Sequence, residues 1–376
     1  MGGSIVLHET DTYREIKQQP QTLKKTFDIV QGQQEAFKQF VNQIEQTHSG
    51  KKLKVLFTGA GSSAYVGDVA RMARNTSVMP NFEFESVPTT HFVTDPQLYI
   101  DNQTVYLVVS FARSGNSPET KATVEFVNEL SQHVYHLFIT NNKDGFLGAY
   151  EAEKDNVFKV ILPEETNDKS LAMTSSFSSM LFASYLLFGG EVSPQFFEIA
   201  ESNFEWLEQQ AQAVNAMTFS KVFYVATGLI GELTKEVSLK LNELTAGQTE
   251  IARETTLGFR HGPKAGLSKD AIFIMMRSNG TYHRQYEDDL IKEVGQVKDR
   301  YKMYILDGQS DASEHTVQLP QSESLSDMEL ALQYLMFGQL LAAQRSNALG
   351  LNPDNPSPDG FINRVVKGVT VYPVKG

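Results

Sequence analysis

A doubly wound α/β fold, built twice in tandem, is what this sequence predicts, and three observations predict it. Short β-rich runs alternate with helical stretches along most of the chain, the runs at 54–61 and 221–228 end in glycine turns, and the order of runs and helices in the first half returns in the second. KVLFTGAG (54–61) enters a helix, SSAYVGDVARMARN, and FEFESV, TVYLVVS, a helix from Pro118 to Ser131, YHLFITN, VFKVILP and an apolar helix, SSFSSMLFASYLLFGG, follow. The second series opens on KVFYVATG (221–228) and a helix through Leu244. It continues with AIFIMMRS, a helix over YEDDLIKEVGQVKD, YKMYILDG, HTVQLP and a long helix from Asp327 to Leu349. Val55 maps onto Val222 and Tyr106 onto Phe273, both at an offset of 167 (222 minus 55; 273 minus 106). Alternation of this kind gives parallel sheets covered on both faces, which bind ligands beyond the carboxyl ends of their strands.

The 376 residues, 41% of them hydrophobic, suit two ordinary domains with a core each. We place a polar helical lead over 1–48, with its helix at about 20 to 48, a first domain over 49–210, a second over 211–350 and a tail over 351–376. In the tail, NPDNPSPDG is a proline-rich loop and RVVKGVTVYPVKG an extended segment too apolar to float free. Lys+Arg 33 against Asp+Glu 45 gives a net charge of -12, which leaves no electrostatic footprint for nucleic acid or an anionic membrane. An anionic ligand must be held locally. Zero cysteines exclude a disulfide framework, a thiolate nucleophile and a cysteine zinc site. The opening residues lack the apolar core of a signal peptide, and position 6 is Val where myristoylation needs Ser or Thr. No apolar run approaches the roughly 20 residues of a membrane span. The expectation is a soluble cytoplasmic protein.

Two loops carry the first site. SFARSGNSPET (110–120) leaves one strand and enters a helix, bringing Ser110, Ser114, Ser117 and Thr120, with Gly115 for close backbone approach. Gly61, Ser62 and Ser63 form a second such loop after the first strand. Unpaired backbone N–H groups at a helix start, the positive end of the helix dipole and neutral hydroxyl donors together bind a phosphate. Ser and Asn also cap helices for their own sake, which explains either loop alone. Both loops together favour phosphate. GAGSSA (59–64) also satisfies G-x-G-x-x-A, and Glu85 lies at a suitable distance to reach a ribose. Against a dinucleotide stand the hydroxyl-rich second loop and the repeat copy TGLIGE, which abandons the pattern.

The second domain carries the candidate chemistry. In TKEVSLKLNEL (234–244), Glu236, Lys240 and Glu243 fall at i, i+4 and i+7, so they project from one helix face where a pocket should open. A solvated ion-pair stripe is the commoner meaning of such spacing. In TLGFRHGPKAG (256–266), Arg260, His261 and Lys264 surround a Gly-Pro turn, and the cationic neighbours favour a neutral His261 suited to proton transfer. His133 and His136 lack a carboxylate at helical spacing, so no metal site is expected there.

TGAGSSAYVG, SGNSPET, the E-x-x-x-K-x-x-E helix, FRHGPK and the closing VKGVTV resemble a tandem sugar isomerase (SIS) domain protein, in the order found in the isomerase half of glucosamine-6-phosphate synthase. The chain is similar above all to the family of tagatose-6-phosphate ketose/aldose isomerases, members of which act as galactosamine-6-phosphate deaminases. The resemblance implies two flavodoxin-like three-layer αβα sandwiches, no metal, no nicotinamide, and a homodimer or higher homo-oligomer with shared active sites. It assigns substrate phosphate to Ser62, Ser63, Ser114, Gly115 and Ser117, with Arg113 beside them where the synthase has a glutamine. It makes Glu243 the base that moves a proton between C1 and C2. His261 becomes the ring-opening residue of a neighbouring subunit, Lys367 the tail lysine near the sugar carbonyl, and Lys240 and Glu236 residues lining the site. Phe259 departs from the glutamate that precedes His-Gly-Pro in the synthase, and no glutaminase domain is present. Without that ammonia source the degradative direction fits better: galactosamine 6-phosphate to tagatose 6-phosphate and ammonia. Plain aldose–ketose isomerisation uses the same residues, and a non-catalytic sugar-phosphate sensor is the alternative of another class, though no basic helix-turn-helix segment accompanies it.

Overall fold

A computed structural model describes residues 6–152, 155–297, 300–309, 315–366 and 368–374. The chain forms two compact units, Thr22–Asp168 with Ser175–Glu191 and Gly360–Gly376, and Met1–Gln21 with Lys169–Thr174 and Val192–Asp359. Each contains one five-stranded parallel sheet flanked by helices, so the predicted tandem α/β fold is present.

Two helices precede the first sheet: α1 (Asp11–Lys17), whose N-cap Thr10 accepts from the Tyr13 amide, and α2 (Gln19–Thr47). In chain order the first sheet and its helices are β1 (Leu53–Thr58), α3 (Ser62–Ala73), β2 (Phe82–Ser86), α4 (Thr89–Thr94), β3 (Val105–Ala112), α5 (Pro118–Leu130), β4 (Val134–Thr140), α6 (Phe146–Ala149), β5 (Val157–Ile161) and α7 (Ser175–Leu187). The strand order is β2-β1-β3-β4-β5. Every residue of the central strand β3 is buried, as expected of a strand covered on both faces, whereas the edge strands β2 and β5 are partly exposed. On one face Leu56, Tyr106, Val108 and Phe126 form a core that Val371 and Val374 of the tail also touch. The tail thus docks on this unit without helix or strand and without joining the sheet among the described residues.

In the other unit α8 (Phe196–Ser202) and α9 (Phe204–Asn215) lead to β6 (Lys221–Ala226), α10 (Gly228–Leu244), β7 (Glu250–Thr255), β8 (Ala271–Met276), α11 (Thr281–Gly295), β9 (Lys302–Asp307), β10 (Thr316–Gln318) and α12 (Asp327–Ala348). The order β7-β6-β8-β9-β10 repeats the first topology. Helix α12 starts on a capping box, Ser326 and Glu329 each satisfying the other's backbone N–H. It packs closely on α10, because a Cβ on Gly338 would stand 2.4 Å from Val237 Cγ1. The repeat is not in uniform register. Val55 lies beside Phe84 and Val222 beside Ile251, which keeps the offset of 167 (251 minus 84). Across the other side, Val55 lies beside Leu107 but Val222 beside Ile272, an offset of 165 (272 minus 107). The equation of Tyr106 with Phe273 is therefore two residues out of step.

Candidate active site

In the first-sheet unit the reversal of strand order falls between β1 and β3, whose ends Thr58 and Ser110 sit side by side in the ladder. Ligands of doubly wound sheets bind at such a crossing. The hydroxyls of Thr58 and Ser110 are buried and make no hydrogen bond among the described residues. Beyond them, Ser62 and Ser63 occupy the first turn of α3, both buried. Ser114 is half-buried and its Oγ accepts from the Asn116 amide at 3.3 Å. Gly115 adopts φ +69°, which turns the chain towards α5 without a Cβ penalty.

A brace holds this loop from behind. Asn142 Nδ2 donates to the Ser114 carbonyl at 3.0 Å, and Asn116 Oδ1 accepts from the Phe146 amide at 3.0 Å. Ser117 is the N-cap of α5: its Oγ accepts from the Thr120 amide at 3.2 Å and lies 2.7 Å from Thr120 Oγ1. The capping use foreseen for these hydroxyls is thus realised at Ser117. Arg113 is almost wholly buried, and its Nη2 donates to the backbone carbonyl of Arg364 in the tail at 2.8 Å. Glu85, the carboxylate a dinucleotide pattern would aim at a ribose, pairs with Lys54 at 2.8 Å.

In the second-sheet unit the spacing on α10 does bring three charges together. Lys240 Nζ lies 2.6 Å from Glu243 Oε2 and 3.3 Å from Glu236 Oε1. The side chains of Lys240 and Glu236 are 1% and 0% exposed and that of Glu243 is 24% exposed. The arrangement is a buried carboxylate, a buried ammonium and one carboxylate within reach of a ligand, not a solvated stripe. His261 is exposed at the end of a short 3₁₀ turn, Gly258–Arg260, and makes no hydrogen bond or ion pair with the α10 charges among the described residues. Phe259 anchors that turn, fully buried against Phe223 and Phe273. Arg260 and Lys264 both bind Glu293, the former at 2.6 Å. The cations expected to act on His261 are therefore committed to a carboxylate of α11 that the loop sequence does not reveal. Lys367 lies outside the described residues.

The corresponding crossing of the second sheet is filled by its own side chains. Arg277, 0% exposed, contacts Asp307 at 2.9 Å, Glu287 at 3.6 Å and Asp288, while Arg284 grips both oxygens of Asp307 at 2.7 and 2.9 Å. Elsewhere, His136 is buried in β4 with Nε2 2.9 Å from Asn128 Oδ1, and His133 Nε2 lies 2.7 Å from Lys51 Nζ. No group of three potential metal ligands occurs among the described residues. No helix among them is long and apolar enough to cross a membrane.

Comparison with known proteins places this geometry. The SIS domain model matches residues 49–189. The D-galactosamine-6-phosphate deaminase AgaS of Shewanella sp. (strain ANA-3) is 36% identical over 365 residues, spanning 96% of this chain and 92% of that protein. The chain belongs to the AgaS family. AgaS of Escherichia coli O157:H7 is 32% identical, over 97% of this chain and 96% of that protein. The crystal structure of the tagatose-6-phosphate ketose/aldose isomerase from Escherichia coli superposes with a TM-score of 0.87 at 29% identity, over 100% of both chains. AgaS-family membership makes the chain an enzyme of the sugar-phosphate isomerase/deaminase type, as the five sequence motifs implied. The motifs named the serine loops and the α10 charges. They missed Asn142, Glu293, and the pair of Asp168 and Arg364, which act through contacts distant in sequence and have no local pattern to betray them.

Proposed function

We propose that this protein converts galactosamine 6-phosphate and water to tagatose 6-phosphate and ammonia. The observation that carries the reading is the α10 stack, in which Lys240 holds Glu243 at 2.6 Å and Glu243 alone of the two carboxylates is accessible. A deaminating isomerisation needs one positioned base that gives back the proton it takes. The 6-phosphate is bound by Ser62, Ser63, Ser114, Gly115 and Ser117, so that binding energy away from the reacting carbons positions C1 and C2. His261, supplied by the partner subunit of a homodimer or larger assembly, assists opening of the sugar ring. Glu243 removes the C2 proton, giving an enolamine, and returns it to C1. The C2 imine so formed is hydrolysed by water, which releases ammonia and leaves the ketose. Lys367 serves the sugar carbonyl, and Lys240 and Glu236 line the site. Lys240 keeps Glu243 aimed, and Glu236 balances the buried ammonium. We place the reaction in the cytoplasm, with no cofactor and no resident metal.

Aldose–ketose isomerisation of tagatose 6-phosphate is the second reading, favoured by the 0.87 TM-score to the isomerase structure. It follows from the same shuttle when C2 carries a hydroxyl. Ammonia release from galactosamine 6-phosphate, measured beside aldose–ketose interconversion of tagatose 6-phosphate with purified protein, separates the two. We expect stoichiometric ammonia and tagatose 6-phosphate from the amino sugar. Interconversion without ammonia release overturns the deaminase reading, and turnover of neither substrate overturns both.

A further inference from the structure

The position after β3 was expected to serve phosphate, but the contacts of its arginine lead elsewhere. Arg113 immediately precedes Ser114, is 5% exposed, and donates from Nη2 to the carbonyl of Arg364 at 2.8 Å. Arg364 is itself held: its Nε donates to the Asp168 carbonyl at 2.8 Å and its Nη2 to Asn167 Oδ1 at 2.9 Å. Asp168 is fixed in turn at the start of α7, where its carboxylate accepts from the Ser176 amide at 2.9 Å and the Ser176 hydroxyl at 2.6 Å. One residue of the tail is therefore clamped on both sides, by its side chain against the Asn167–Asp168 turn and by its carbonyl against the phosphate-loop strand.

We infer that Arg113 is a positioning residue that couples the Ser114–Ser117 loop to the C-terminal tail. A guanidinium has only donors, cannot lose its charge, and is rigid, so it transmits the position of its own backbone to whatever carbonyl it grips. Buried at this depth, its Nη2 has little water to replace the Arg364 carbonyl, so loss of that one bond is costly. A loop drawn in around a phosphate holds Arg113 in place, and Arg113 holds the backbone three residues before Lys367. A glutamine here offers a shorter, neutral reach, so the arginine is what makes the coupling possible.

The inference rests on the catalytic role proposed for the tail, and its test has one arm that needs no turnover. Trypsin cleavage after Arg364, followed by mass, reports tail docking directly. Inorganic phosphate should slow that cleavage in the unmodified protein and have no effect in Arg113→Met, which should be cleaved faster in either condition. In steady-state assays Arg113→Met should lose about 10- to 100-fold in kcat, the loss expected for one hydrogen bond to a charged group, with KM and phosphate inhibition nearly unchanged. Arg113→Lys should recover part of that loss. Arg364→Met removes the trypsin site itself and is read by kinetics alone; it alters only the tail side of the clamp and should reproduce the loss in kcat and add little to Arg113→Met. A rise in KM and a loss of phosphate inhibition, with cleavage unchanged, would make Arg113 a phosphate ligand and overturn the coupling. Cleavage insensitive to phosphate in the unmodified protein overturns it as well. Failure of the deaminase reading alone would abolish turnover but leave the proteolysis pattern intact.

Discussion

Glu243→Gln keeps the shape of the side chain and an oxygen for Lys240 while removing the base. Turnover should fall by about 10²- to 10⁴-fold with substrate affinity kept, measured by kinetics and by direct binding. Loss of affinity with turnover unchanged at saturation would end the proton-shuttle role. Two other titrating residues set the pH range of the fold, with opposite signs. Burial pushes Glu287 from 4.5 up to about 7, against the hydroxyl of Thr227, the Ser278 amide and the charges of Arg277 and Arg284. Its folded form holds a proton more tightly than the unfolded chain, so its contribution is complete below about pH 4.5 and is lost as pH rises through about 7. Burial pushes His136 from 6.5 down to about 4, so its contribution is complete above pH 6.5 and is lost as pH falls through about 4. Denaturant unfolding across pH should therefore show Glu287→Gln gaining on the unmodified protein between pH 5 and 8, by on the order of 3 kcal/mol. His136→Gln should gain towards pH 4. Parallel curves for all three proteins would contradict both shifts.

At the scale of elements, substitution separates the observed capping job of the serine loop from the phosphate binding proposed for it. Ser117 caps α5 through the Thr120 amide, so Ser117→Ala should lower the melting temperature, a lost cap costing about 1 kcal/mol, and weaken phosphorylated ligands too. Among the described residues Ser114→Ala touches only the 3.3 Å bond from Asn116, so it should weaken phosphorylated ligands by roughly 1 to 3 kcal/mol at unchanged melting temperature. Equal weakening of an unphosphorylated sugar by Ser114→Ala would make that hydroxyl structural. The same contrast explains what could be read beforehand. Strands such as β3 and β8, buried along their whole length, are apolar almost throughout and stand out as VYLVVSFA and AIFIMM. Strand β7, EIARET, did not stand out, because an edge strand exposes part of every turn of its pleat and tolerates charge. Helices α1, α8 and α9 lie before and between the two repeated series, where no alternation with strands marks them. On α10 the period of 3.6 alone aligned Glu236, Lys240 and Glu243. Which of them is buried depends on what packs on α10, where α12 approaches closely through Gly338 against Val237, and no local pattern holds that information.

For the whole molecule, the tandem repeat has divided its labour. The first sheet crosses over at hydroxyls and helix starts, and the second at Arg277 and Asp307, whose charges pair, with Glu287 buried beside them. On the proposed function this gives one phosphate site per chain, with the proton-transfer charges assigned to the other copy. If His261 acts in the partner subunit's site, as its exposure and its separation from the α10 charges allow, two inactive proteins should complement each other. Glu243→Gln and His261→Ala homodimers should each be nearly inactive. When the two are scrambled in equal amounts, about half of the dimers are hybrids, and each hybrid carries one site with both residues altered and one with both intact. About a quarter of all sites should then recover, read as specific activity against the unmodified dimer. A His261 that served its own chain would leave every hybrid site with one residue missing, and activity would stay at baseline. Native mass measurement of the mixture distinguishes that result from a failure to exchange subunits. Hybrids present without recovered activity would confine His261 to its own subunit or remove it from catalysis.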